Sequence, residues 1–192
     1  MIAIIDYGAG NIRSVQNALH RLGVESIVTS DPEIIRSSEK VICPGVGEAR
    51  TAMAFLSEKA LDALIPTLTQ PVLGICLGLQ LLCTSSEEGN TACLGIFNTK
   101  VRRFHSDQIV PHMGWNNCDE LQSELFNGIA IQDDFYFVHS YYAELCEETI
   151  AVGNYGFPFS AALKKNNFYA TQFHPEKSAG VGERILQNFI NL

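Results

Sequence analysis

The sequence predicts an α/β protein, a mixed, largely parallel central sheet flanked by helices, with a β-rich second half. Three observations carry this expectation. Short apolar runs alternate with segments of helical periodicity as far as about residue 92, and repeated strand-helix units build a parallel sheet covered on both faces. Beyond that point, strand-like runs are separated by turn signals, closer to hairpins than to crossovers. The 192 residues suffice to bury a core without a disulfide or a metal, and no linker or repeat divides them, so one domain spanning 1–192 is expected.

In chain order, residues 2–6 form an apolar run that reads as a buried first strand. Residues 12, 15, 18, 19 and 22 repeat at helical spacing before Gly23, a natural helix stop. Residues 24–29 are a second strand. Asp31-Pro32 carries N-cap and first-turn chemistry for a short helix. Val41-Ile42-Cys43 leads as a third strand into the glycine-rich Pro44-Gly45-Val46-Gly47, a helix follows over 49–65, a fourth strand over 72–75 and a helix over 77–84. The strand-like runs of the second half are 94–104, 108–118, 135–142, 149–154, 159–164 and 168–173, and a helix closes the chain over 182–192.

Composition excludes several classes. Lys plus Arg number 13 and Asp plus Glu 21, a net charge of −8, which argues against a nucleic-acid partner because phosphate binding needs clustered cations. Residues 63–86 carry no charge, yet Pro66, Pro71, Gly74 and Gly78 interrupt them, so they read as a helix end, a strand and a second helix rather than a membrane span. The first residues lack the basic region and cleavage pattern of an export signal, and the six cysteines lie far apart with no Cys-x-x-Cys pair. Reduced thiols and a cytoplasmic location are expected.

Gly74-Ile75-Cys76-Leu77-Gly78 is the strongest chemical signal, placed where an apolar strand meets a helix. It is a nucleophile-elbow pattern with Cys in place of Ser, in which a tight turn exposes the side chain above the sheet at a helix N-terminus. The other reading of any cysteine is a small buried hydrophobe, and Cys43, Cys83, Cys93, Cys118 and Cys146 keep it. A nucleophilic Cys76 needs a base and an orienter. His174-Pro175-Glu176 supplies both at a strand end, while His139 and His112 are rival bases. The N–H groups of Leu77 and of the Pro44-Gly45-Val46-Gly47 loop are candidate oxyanion donors. No residue set has metal-ligand spacing, and Asp6-Tyr7-Gly8-Ala9-Gly10-Asn11 lacks the ending of a phosphate loop, so neither metal nor cofactor is expected.

Gly74-Ile75-Cys76-Leu77-Gly78 with Gln80, together with His174-Pro175-Glu176, resembles the class I (triad) glutamine amidotransferases, whose fold is flavodoxin-like. Within that class, Asp6-Tyr7-Gly8 with Gly10-Asn11, Pro111-His112-Met113-Gly114-Trp115-Asn116, Tyr136 to Tyr141 and His174 to Ser178 resemble the HisH glutaminase subunits of imidazole glycerol phosphate synthase. The resemblance implies that Cys76 attacks the carboxamide of L-glutamine, His174 shuttles the proton and Glu176 fixes the imidazole. It implies Gly47 and Leu77 at the oxyanion, and Gln80, Glu88, Ser140 and Tyr141 around the substrate. It also implies a (β/α)8 cyclase partner, HisF, met by Asn11, Trp115 and Lys177 at the interface or the ammonia passage, although core packing is the other reading of Trp115. The loop at 44–47 is expected to hold its amide turned away until the partner engages, which makes activity conditional. Glu48-Ala49-Arg50 and the segment 104–108 are not fixed features of the family. Two competing readings keep the fold: the same triad serving another acceptor, or a non-catalytic module in which Cys76 is structural.

Overall fold

The computed structural model describes residues 1–8, 10–105 and 108–192. Ala9 of the N-terminal motif, and Ser106 and Asp107 of the 104–108 segment, lie outside the described residues. The first half runs β1 (Ile2–Ile5), α1 (Ile12–Arg21), β2 (Ser26–Thr29), α2 (Pro32–Ser37), β3 (Lys40–Cys43), α3 (Ala49–Glu58), α4 (Leu61–Leu64), β4 (Val72–Ile75) and α5 (Leu77–Leu82). The second runs β5 (Ser85–Ser86), β6 (Thr91–Ala92), β7 (Lys100–Arg103), β8 (His112–Asn116), β9 (Cys118–Asp119), β10 (Phe135–His139), β11 (Tyr141–Ala143), β12 (Thr149–Asn154), β13 (Pro158–Lys165), β14 (Phe168–Thr171) and α6 (Ala179–Ile190).

The period-two pattern of the strands sorts their side chains into two cores. Ile2 and Ile4 of β1 join α1 and α6 on one face of the sheet, and Ala3 and Ile5 join α2 to α5 on the other. The alternating strand-helix units give the parallel set β2-β1-β3-β4, as the sequence predicts. β14 then pairs parallel with β4, and β13, β11, β7, β5 and β6 continue the sheet. The predicted hairpins are present as the antiparallel pairs β12 with β13 and β13 with β14. β8 and β10 stand apart as a two-stranded antiparallel ribbon.

Several elements differ from the sequence reading, each for a visible reason. The helix expected over 49–65 breaks where Ala60 takes a left-handed conformation, φ 54°, closing α3 and opening α4. The break lets Leu56, Leu61, Leu64 and Ile65 all face one core. The run at 94–104 is strand only over β7. The backbone N–H groups of Leu94, Gly95, Ile96 and Phe97 are spent on the carbonyls of Leu81, Cys83 and Leu82 at the end of α5, so they cannot serve a ladder. The run at 135–142 is interrupted at Ser140, where the chain leaves the ribbon for the main sheet. The small hairpin of β5 and β6 has no apolar signal in the sequence.

Glu124 fastens the segment between β9 and β10 to the sheet. Both carboxylate oxygens accept from Lys164 Nζ at 2.8 Å, and Oε1 also accepts from the Tyr169 hydroxyl. The Lys164 and Tyr169 hydrogen bonds hold its carboxyl down at about 2, below the ordinary 4.5. A depressed carboxyl stabilises the fold above its unfolded-state pKa and loses that contribution as pH falls toward the folded one. Because both side chains are partly exposed, screening limits the pair to about 0.5–1 kcal/mol. Glu124→Gln is therefore expected to lower stability by that amount at pH 7 and by almost nothing near pH 2, a convergence that thermal unfolding across this pH range checks.

Candidate active site

Cys76 occupies the turn between β4 and α5 with φ 52° and ψ −103°, a strained backbone at the head of a helix. Two glycines permit the turn. A Cβ on Gly74 would lie 2.8 Å from the Gly78 carbonyl, and one on Gly78 would overlap the carbonyl oxygen of Cys43 on β3. Without side chains there, α5 packs directly on the strand ends. The Cys76 N–H donates to the Thr171 carbonyl at 2.7 Å, tying the elbow to the end of β14.

His174 lies three residues beyond the end of β14, so the parallel pairing of β4 with β14 delivers thiol and imidazole to the same edge of the sheet. Its Nδ1–H donates to Glu176 Oε1 at 2.7 Å, and both side chains are fully buried. Asn11 Nδ2 donates to the same carboxylate oxygen across 165 residues of sequence. His174 Nε2 is buried and has no hydrogen-bond partner among the described residues. Burial works against a charged imidazole here, but Cys76 and Glu176 outweigh it, and the His174 pKa is pushed up to about 10. The ring can thus hold a proton beside the Cys76 sulfur.

A cavity of about 310 Å³ opens over Cys76, walled by Gly47, Leu77, Gln80, Glu88, Ser140 and Tyr141. All six are residues expected at the oxyanion or around a substrate. Gln80 commits its amide N–H groups to the protein, donating to the Tyr141 carbonyl at 3.0 Å and to Gln172 Oε1 at 3.1 Å. Glu88 Oε2 accepts from the Ala49 N–H at 2.7 Å, across the start of α3. Its burial raises the carboxyl pKa, the Ala49 bond lowers it and Glu48 raises it, leaving it above the ordinary value. The Leu77 N–H donates to the Gly45 carbonyl at a long 3.3 Å, and the Val46 carbonyl accepts from Gly10 at 2.9 Å. Gly47 has φ 150°, a conformation that favours glycine.

The rival bases are otherwise engaged. His112 Nδ1 and His139 Nε2 lie 2.9 Å apart, and burial pushes both imidazoles down, His112 to about 4 and His139 to about 3. Burial likewise raises the other five cysteines, with Cys43 pushed up to about 12 and Cys93 to about 11. Trp115 is 55% exposed, which removes the core-packing reading. Its ring meets Tyr136 edge-on at 5.9 Å, and the exposed Lys177 sets its ammonium over the same Tyr136 ring, 5.9 Å from the centroid. Asn11, expected toward a partner, places its amide on the carboxylate beside His174.

Sequence reasoning missed three residues. Gln172, wholly buried, donates from Nε2 to Cys76 Sγ at 3.5 Å. Its only signal was position, alternating with the buried Thr171 and Phe173 just before His174. Ser178 Oγ donates to the His174 carbonyl at 2.7 Å and accepts from the Tyr136 N–H at 2.9 Å, fixing the turn that carries His174. Arg50 donates twice to the Gly89 carbonyl, at 3.1 and 2.8 Å, and steadies the turn bearing Glu88.

The profile of the family described as glutamine amidotransferase class-I matches residues 3–192. The imidazole glycerol phosphate synthase subunit HisH of Bacteroides fragilis is 58% identical over 194 residues, covering 100% of this chain and 99% of that one. The protein of the same description from Yersinia pseudotuberculosis is 44% identical over 194 residues with the same coverage. Among solved structures, a glutamine amidotransferase from Thermotoga maritima superposes with a TM-score of 0.67 at 16% identity, covering 99% of this chain and 82% of that chain, and so shares the fold. With the family profile matched along almost its whole length and close relatives matched end to end, the chain belongs to the class I glutamine amidotransferases and, within them, to the HisH family.

Proposed function

We propose that this chain, as a single domain, hydrolyses L-glutamine to glutamate and ammonia in the cavity over Cys76. The observation that carries this reading is a strained cysteine in the cavity wall beside a buried His174–Glu176 pair whose Nε2 is uncommitted among the described residues. In the first half-reaction the Cys76 thiol passes its proton to His174 Nε2 as the sulfur attacks the carboxamide carbon, His174 gives that proton to the departing nitrogen, and the C–N bond breaks to leave a glutamyl thioester and ammonia. In the second, His174 takes a proton from water as the oxygen adds to the thioester carbon, and the C–S bond breaks to release glutamate as His174 returns the proton to the sulfur. Glu176, held by Asn11, keeps the imidazole in the tautomer this requires.

The N–H groups of Leu77 and Gly47 receive the developing oxyanion. Leu77 is bonded to the Gly45 carbonyl and the loop is pinned at Val46 by Gly10, so both bonds must loosen before the donors converge. That requirement supports activity conditional on a partner. Gln80, Glu88, Ser140 and Tyr141 hold the amino-acid end of glutamine, with Glu88 the natural partner of its ammonium. No cofactor takes part in this chemistry.

The relatives' description as synthase subunits supports a partner protein, and the proposed one is the (β/α)8 cyclase HisF. Ammonia passing to it would convert its ribulosyl carboxamide substrate to imidazole glycerol phosphate and an aminoimidazole carboxamide ribotide in histidine biosynthesis. Trp115 and Lys177, exposed around Tyr136, are the proposed docking residues, and Asn11, bonded to the carboxylate beside His174, is the residue proposed to border the path of the departing ammonia. No helix among the described residues is long and apolar enough to cross a membrane, consistent with the cytoplasmic site proposed for this pathway.

Glutamate release by the purified chain, alone and then with the cyclase plus imidazole glycerol phosphate, tests the reading. Strong stimulation is the expected outcome, and silence in both conditions would overturn it. Cys76→Ser should lose at least about a thousandfold in the stimulated rate while unfolding at the wild-type temperature. Glu176→Ala should lose roughly a hundredfold, with Asn11→Ala losing less, because an orienter contributes less than the nucleophile.

A further inference from the structure

The His112–His139 pair has no part in the triad, yet it ends on the cavity wall. His139 Nδ1 lies 2.8 Å from the Tyr141 carbonyl, the same oxygen that accepts from Gln80. At the other end, His112 Nε2 lies 3.5 Å from Asn116 Nδ2, which also donates to the Asn154 carbonyl at 2.9 Å. A carbonyl only accepts, so His139 Nδ1 carries that ring's proton. Both rings are neutral with one proton each, which leaves His139 Nε2 to accept from His112 Nδ1–H and His112 Nε2 to accept from Asn116. The direction of every bond follows from the last acceptor.

The His112 ring is stacked between Phe137 and Tyr155, with centroids at 5.0 and 4.1 Å and planes within 23° and 20°. Two apolar rings would fill the same space at no desolvation cost, and a fully satisfied polar network in their place fixes one geometry.

We propose that His112 and His139 are positioning residues for the substrate: the hydrogen-bond chain from Asn116 through both imidazoles fixes the Tyr141 carbonyl, and with it the Ser140–Tyr141 wall of the cavity, relative to the strand that bears Met113 and Trp115. The inference rests on the glutaminase reading above. Neighbouring residues on β8 point to opposite sides, so Met113 and Trp115, 64% and 55% exposed, share a backbone with the buried His112. The partner-facing surface and the substrate wall are thereby joined through two rings.

The test is glutaminase kinetics of the complex with the cyclase, with imidazole glycerol phosphate present. His112→Phe keeps the aromatic stack and removes the donor, and should raise the KM for glutamine about five- to tenfold with kcat within about twofold. His112→Asn, whose Nδ2 can stand where Nδ1–H stood, should restore KM to within about twofold. An unchanged KM in a stably folded His112→Phe overturns the proposal, and so does a fall in kcat alone that tracks lost thermal stability. Long-range proton–nitrogen NMR of the imidazoles gives a readout independent of turnover. Both rings should be Nδ1–H tautomers, and an Nε2–H form at either residue overturns the relay even if the chain proves not to be a glutaminase.

Discussion

The site depends on one piece of backbone pairing, the parallel ladder between β4 and β14. Its last rung sets Ile75 beside Thr171, and the Cys76 N–H extends it by one bond to the Thr171 carbonyl. From there one chain turns into the elbow and the other runs three residues on to His174. Thiol and imidazole are almost a hundred positions apart in sequence, and only this register brings them to one edge. The buried Gln172 between the two strand ends touches both sides of the arrangement, reaching Cys76 Sγ with its amide hydrogens and Gln80 with its oxygen. A shift of one residue in the ladder would turn His174 to the opposite face of the sheet.

The charge arrangement around His174 is the second dependency. A fully buried imidazole resists protonation, and here a carboxylate on one nitrogen and a sulfur near the other reverse that preference. The His112–His139 pair has comparable surroundings without an acid, and its pKa values move in the opposite direction. Two kinds of buried histidine thus lie close together, one able to carry a proton and one confined to neutral hydrogen bonding, separated by whether the Cys76 sulfur and the Glu176 carboxylate are within reach.

Much of this was legible in the sequence. The elbow was readable because Gly74 and Gly78 flank Cys76 with a spacing that only close helix-strand contact requires, and the structure shows that contact. The period-two alternation of β1 and the Asp31-Pro32 start of α2 were local signals with local causes, and they located their elements. What the sequence concealed was produced by distant partners. The break of the long helix at Ala60 carries no glycine or proline to announce it. The amides of 94–97 look like strand until the open end of α5 claims them. Gln172, Ser178 and Arg50 are ordinary polar residues whose roles exist only through contacts with Cys76, Tyr136 and Gly89. The bond from Asn11 to Glu176 was hidden for the same reason, since nothing near Asn11 in sequence points to that carboxylate.

The interruption at Ser140 has a consequence for how this molecule can vary through descent. β10 belongs to the two-stranded ribbon and β11 to the large sheet, so residues facing outward on the ribbon alternate with residues packed against the cavity side. Exposed face and cavity-side face are written on the same few codons in alternating order. Single replacements can alter the outer set while sparing the inner one. Insertion or deletion of one residue within the ribbon would exchange the two sets completely, burying Trp115 and expelling His112. Lineages carrying this fold can therefore retune the outer face by substitution, while the length of the two ribbon strands stays fixed.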